Sequence, residues 1–126
     1  MSQTERRLRR SANTTQALCL QLNSSLRRAN LSGFVLADDD GVCLAAAGDS
    51  HACDEIAAHL PMVGRKAPNF EGVLFGPAVQ WDVQMQSLEI EGSNLYLCAI
   101  GQSDARRDQL QHSMGAVSRI LMPAAA

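Results

Sequence analysis

Apolar residues recur at Leu18, Leu22 and Leu26, every fourth position, with Thr15 and Cys19 beside them. That spacing lines one face of a helix and predicts an amphipathic element over 14–28. Asn13 is placed to cap its start, Arg27 and Arg28 suit the negative end of its dipole, and Asn30 is placed to end it. The pattern then changes. Residues 31–49, LSGFVLADDDGVCLAAAGD, hold two apolar runs around DDDG. Asp and Gly tolerate the positive φ angles of tight turns, so Asp40-Gly41 predicts a hairpin with strands at about 31–38 and 42–48.

Asp49 or Ser50 can cap a second helix with the apolar stripe Ile56, Leu60, Val63 and Ala67. Ala52, Ala57 and Ala58 keep its first half slim enough for another element to approach. Pro61 falls inside the stripe and is expected to kink the helix or divide it into 50–60 and 61–67, because it lacks an N–H and its ring crowds the preceding turn. In the segment 68–77, PNFEGVLFGP, Val73, Leu74 and Phe75 read as a short strand or a packed loop. From Val79 the chain alternates: Val79, Trp81, Val83 and Met85 on one side, Gln80, Asp82, Gln84 and Gln86 on the other, a half-buried strand. The apolar phase shifts at Ser87, where Leu88 and Ile90 take the opposite parity, and a β-bulge near Gln86–Leu88 would account for it. Residues 91–94 read as a turn, and Leu95–Ile100 as a strand buried on both faces. Ser103 or Asp104 is placed to cap a last helix carrying Leu110, Met114, Val117 and Leu121, which Pro123 ends. The order α-β-β-α-β-β(-β)-α implies an α+β fold with a central antiparallel β-sheet flanked by helices. Residues 13–122 form the expected domain, between tails at 1–12 and 123–126.

Composition narrows the function. A chain of 126 residues can bury a core without disulfides or metal. Its net charge of −2 provides no field to attract nucleic acid. No apolar run approaches the roughly 18 residues a membrane span needs. Cys19, Cys43, Cys53 and Cys98 lie far apart without C-x-x-C spacing and read as reduced core residues of a cytoplasmic protein. Cys53, near a helix start, is the one whose pKa the dipole could lower. The N-terminal MSQTERRLRR carries four arginines against one glutamate. Without interleaved aromatics or a following apolar run, it reads as a solvated flexible tail and not as a nucleic-acid arm or a signal peptide.

Candidate chemistry is sparse. A calcium loop would follow DDD with spaced ligands and a glutamate, and Val42, Cys43 and Leu44 stand there instead, so Asp38, Asp39 and Asp40 read as a turn. The sequence has no P-loop, nucleophile elbow or zinc spacing. His51, Glu55 and His59 would share a helix face at i, i+4 and i+8, a conceivable transition-metal set, with a solvated helix edge as the simpler reading. Cys43 and Cys98 lack a neighbouring base. Trp81 reads as a core or interface residue. Arg106-Arg107 sits unfavourably for the dipole at a helix start and reads as a surface pair or a contact for an acidic partner. These readings name no catalytic, cofactor-binding or metal-binding residue.

A leading helix, GFVLADDDGVCLAAAG as a hairpin, an alanine-rich second helix, and VQMQSLEIEGSNLYLCAIG before a closing helix resemble the roadblock / dynein light chain domain, in particular its bacterial single-domain members. Gly33, the Asp40-Gly41 turn and the LYLCAIG strand carry the likeness, over residues 13–122. The resemblance implies a profilin-like architecture and a homodimer joined through the second helix and the following strand. The matching positions are Ile56, Leu60 and Val63 on the helix and Trp81, Val83 and Met85 on the strand. It also implies a non-enzymatic regulatory or scaffold role, with a small Ras-like GTPase as partner and neither nucleic acid nor membrane. The alternative is a small-molecule sensory domain of the GAF or PAS type, which would need an enclosed pocket beside the sheet.

Overall fold

Residues 33–38, GFVLAD, are buried at every position, the mark of a strand covered on both faces. The structure, a computed structural model, describes residues 12–75 and 80–122. The expected tails, Val79 and the helix-ending Pro123 lie outside the described residues, except for Ala12, which opens the first helix. The elements are α1 (Ala12–Ala29), β1 (Gly33–Asp38), β2 (Cys43–Gly48), α2 (Ser50–Lys66), β3 (Glu71–Phe75), β4 (Gln80–Ile90), β5 (Ser93–Ile100) and α3 (Arg106–Leu121). The strands form one antiparallel sheet in the order β2-β1-β5-β4-β3. This is the expected α+β arrangement, and Glu71–Phe75 resolves the open choice within 68–77 in favour of a strand.

Alternation within each strand splits the core in two. Phe34 and Leu36 of β1 and Leu95, Leu97 and Ala99 of β5 pack with Leu18 and Leu22 of α1 and Leu110, Val117 and Leu121 of α3. Val35, Ala37, Cys98 and Ile100 pack on the other face with Ala52, Cys53, Ile56, Ala57 and Leu60 of α2. Between α1 and α3 the buried hydroxyls of Ser25 and Ser113 lie 2.6 Å apart, with the Gln21 amide donating toward both. A polar pair in this apolar seam fixes how the two helices slide against each other, because any shift leaves both hydroxyls unsatisfied.

The ends of the elements follow local chemistry. Asn30, at φ 54, closes α1 in the left-handed conformation, and Leu31 N–H donates to the Leu26 carbonyl at 2.9 Å. Asn13, expected as the cap, lies inside the helix. Asp49 caps α2 by accepting from the backbone of His51 and Ala52 at 3.0 and 3.2 Å. In the β1–β2 turn the buried Asp38 accepts from the backbone N–H of Asp40 at 2.9 Å and of Val42 at 3.0 Å. Gly41 (φ 80) sits against the backbone of Ala57 and Ala58, so the slim part of α2 is where the hairpin tip rests. At the other hairpin Glu91 (φ 52) and Gly92 (φ 80) make a two-residue turn with both φ positive. Consequently β5 starts at Ser93, two residues before the expected Leu95.

Three expectations need correction. Pro61 does not divide α2, which runs unbroken over Ser50–Lys66 with Pro61 buried among its contacts; packing outweighs one lost hydrogen bond. β4 has no bulge at Ser87, for its register against β5 is continuous from Val83 to Ile90. The change of phase reflects a change of buried side: Val83 and Met85 lie under α2, whereas Leu88 and Ile90 face α1 and α3. The irregularity falls instead between β1 and β2, at Leu36/Ala37. Finally, Ala105 stands at the α3 cap with no side-chain bond, and Ser103 acts one step earlier by accepting from Ala105 N–H at 3.1 Å.

Gly64 lets the C-terminal half of α2 lie on the Tyr96 ring, since a Cβ there would meet ring atoms at 2.3 and 2.5 Å. Gly64→Ala should therefore destabilise the chain by about 1–3 kcal/mol despite alanine's better helix propensity. Urea unfolding of the two proteins measures this, and equal or greater stability of the variant would contradict the packing.

Candidate interaction surface

Of the six residues expected at a chain-to-chain contact, Ile56, Leu60, Val83 and Met85 are at most 1 % exposed and already hold α2 to the sheet. Val63 and Trp81 are half-buried. The Trp81 strand also cannot be a pairing edge, because β4 lies between β5 and β3; the open edge on that side is β3. Periodicity identifies the inward stripe of a helix, and here that stripe is core.

The outward surface near these positions is apolar all the same. An α-helix is about 10–12 Å wide, whereas five strands at about 4.8 Å spacing span roughly 19 Å. Packed on β1, β2 and β5, α2 leaves much of β4 and β3 uncovered. On that strip Leu74 stands opposite Trp81 and Gly72 opposite Val83. Phe70, Leu74 and Trp81 are only partly buried, as is Val63 at the helix side. Met62 on α2 is 56 % exposed, while Val73 of β3, opposite Asp82, stands on the other face and is 42 % exposed.

The opposite face of the same two strands is polar and centred on Arg106. This side chain is 8 % exposed. It donates to Asp82 at 2.8 Å, the Gly101 carbonyl at 2.7 Å, Glu71 at 3.1 Å and Gln84 at 3.3 Å. Hydrogen bonds from Arg106 and then Gln102 hold the Asp82 carboxyl below the usual range. A lowered carboxyl pKa stabilises the fold at neutral pH, a contribution lost as pH falls below the ordinary carboxylate range. Sequence reasoning placed Arg106 on the surface; its burial follows from how the strands are ordered, which periodicity does not report. Beside this cluster, a cavity of about 290 Å³ is lined by Asn69, Glu71, Gln84, Arg107 and Gln111 among others.

At the far end of α2, Arg65 pairs with Asp39 at 3.1 Å, and Asp39 accepts the Tyr96 hydroxyl at 2.7 Å. The three aspartates of DDDG thus divide: Asp38 builds the turn, Asp39 binds side chains, and Asp40 is exposed. A smaller cavity of about 180 Å³ lies between Gly64, Arg65, Pro68, Ser87, Asn94 and Tyr96. His51, Glu55 and His59 do not converge, and among the described residues no group of three His, Cys, Asp or Glu side chains is arranged to hold a metal ion. Cys53 and Cys98 are buried, while Cys19 and Cys43 are half-buried. Burial pushes Cys53 up to about 11, overriding the helix-dipole effect expected there, and raises Cys98 and Cys43 as well. Among the described residues no helix is long and apolar enough to cross a membrane.

Solved structures share this arrangement. A structure described as MglB with tetrameric arrangement superposes with a TM-score of 0.62 at 17 % identity, covering 88 % of this chain and 92 % of that one. Myxococcus xanthus MglB gives 0.57 at 11 % identity, covering 89 % and 95 %. The gliding protein MglB from Thermus thermophilus gives 0.55 at 14 % identity, covering 88 % and 93 %. The chain has the fold of these MglB structures. No family model and no curated protein matches the sequence. At these identities the likeness shows the fold, and within it this chain's apolar strip and Arg106 cluster lie on opposite faces of β3 and β4.

Burial, and then the hydrogen bond to Asp39, push the Tyr96 phenol up to about 12. Because the folded state holds this proton more tightly, stability should be complete below the unfolded value of about 10 and decline as pH rises from there through 12. Tyr96 is the sole tyrosine, so absorbance titration reads it directly. The midpoint should lie well above that of free tyrosine and fall in Asp39→Asn; an ordinary midpoint in the folded protein would contradict the contact.

Proposed function

We propose that the chain is a homodimeric, non-enzymatic regulatory platform that binds and modulates a small Ras-like GTPase, the role its roadblock resemblance implies. The observation that carries this reading is the open edge of β3 beside an apolar strip too wide for α2 to cover. The other open edge, β2, lies under α1 on one face and α2 on the other, so it has no comparable bare strip. A second copy related by a two-fold axis would pair β3 with β3 and bring its own α2 over Leu74 and Trp81. Such a contact closes on itself and satisfies the edge and the strip together. The contact would rest on Val63 and Trp81 with Met62 and Leu74, on Ile56, Leu60, Val83 and Met85 only as the packing beneath, and on the β3 edge itself, where Val73 stands on the opposite face. A partner GTPase would engage the surface built by both chains, and the chain would supply shape and charge to it with no chemistry of its own. The MglB structure in a tetrameric arrangement supports the view that this fold self-associates.

Light scattering at micromolar concentration should give twice the 13.6 kDa chain mass. Val73→Lys, which adds charge at the edge, should weaken association by about tenfold or more, equivalent to ~1.4 kcal/mol, with an unchanged circular dichroism spectrum. A small Ras-like GTPase encoded in the same genome should bind the dimer in calorimetry when loaded with a non-hydrolysable GTP analogue and, loaded with GTP, should change its hydrolysis rate when the dimer is added, while the chain alone hydrolyses no GTP. A monomeric wild-type chain would overturn the dimer, and GTP hydrolysis by the chain alone would overturn the non-enzymatic platform.

A further inference from the structure

Edge strands are commonly kept from pairing by a charged side chain. The described part of β3 carries one charge, Glu71, at its first position. Its carboxylate is held on the α3 side of the sheet, 3.1 Å from Arg106 and 3.6 Å from Arg107. Arg106 itself is almost buried and reaches the end of β5 through the Gly101 carbonyl, β4 through Asp82 and Gln84, and β3 through Glu71. Glu71 and Gln84 are moreover register partners, so a single guanidinium spans both members of the pair at which β3 begins. Among the described residues no helix packs extensively on β3. The guanidinium is therefore the main tie between α3 and the edge strand.

Resting on the dimer reading above, we infer that Arg106, supported by Arg107, is the positioning residue that makes the β3 edge competent to pair with a second copy of this chain. It acts in two ways. Its hydrogen bonds fix the start of β3 against β4, so the edge presents its N–H and C=O groups in register. Its charge, with that of Arg107, neutralises Glu71, which would otherwise be partly desolvated without a partner as the second chain closes over the edge. A residue that blocks pairing in other edge strands is thereby drawn aside and compensated. The dimer and the seat of α3 are linked through one side chain, and a partner that competes for Glu71 or Arg107 would loosen the dimer.

The test is a dilution series by analytical ultracentrifugation on the full chain and on Arg106→Gln, Arg107→Gln, Glu71→Gln and the Arg106→Gln/Glu71→Gln double variant, with a thermal melt of each. Arg106→Gln should raise the dimer Kd by about tenfold or more and Arg107→Gln by roughly threefold. Glu71→Gln introduced into Arg106→Gln should recover a large part of the loss, because the stranded carboxylate is gone. A merely structural defect in α3 would show in the melt and would not be repaired from β3. A folded Arg106→Gln with unchanged Kd, or a double variant as weak as Arg106→Gln alone, overturns this inference while leaving the dimer standing. Should Arg106→Gln fail to fold, an unchanged Kd in Arg107→Gln overturns it. A wild-type chain that stays monomeric removes the dimer reading and this inference together.

Discussion

Leu36 stands opposite Leu97 and Val35 opposite Cys98 across β1 and β5, and all four are fully buried. Neighbouring strands that bury residues of both parities require cover on both faces, and the chain provides it unequally. Among the described residues two helices, α1 and α3, share one face, and α2 alone takes the other. The bare apolar strip over β4 and β3 follows from that inequality, as does the sense of the proposed dimer. A second α2 would supply on one face what α1 and α3 divide between them on the other.

Polar contacts define where the elements meet, and apolar contacts hold them there. Ser25 with Ser113 sets α1 against α3, Asp38 sets the hairpin turn, Asp39 with Tyr96 and Arg65 sets that turn against α2, and Arg106 sets α3 against the outer strands. All but the Asp38 turn connect segments distant in sequence, and Asp38, Ser25, Ser113 and Arg106 are buried or nearly so. Breaking one side of such a contact costs more than the contact contributes, because the remaining group is left without water or partner. These few residues therefore choose among arrangements that the hydrophobic pattern alone would allow.

The pattern along the chain showed α1, both hairpins, α2 and α3, because each depends on local spacing and turn residues. Asn30 and Asp49 act as their positions suggest, whereas Asn13 and Ser103 do not sit at the caps expected of them. Strand order was beyond local reading: whether Glu71–Phe75 or the Trp81 strand forms the edge depends on pairings between distant segments. The candidate contact surface was legible only in outline for the same reason. Ile56 and Leu60 look like an interface stripe until the sheet is present to bury them, and Met62, one position off the stripe, carries no periodic mark. Arg106 looked like a surface residue beside Arg107, and only the convergence of β3, β4 and β5 gives it an interior.

The two hydrophobic clusters lie on opposite sides of the sheet and share no side chains, a layout in which each could melt by itself. β4 prevents this. Its first half belongs to one cluster and its second half to the other, with an unbroken ladder to β5 between Val83 and Ile90. Releasing α2 from Val83 and Met85 loosens the same strand that anchors Leu88 and Ile90 beneath α1 and α3. A strand that changes its buried side midway thus joins two cores into one cooperative unit.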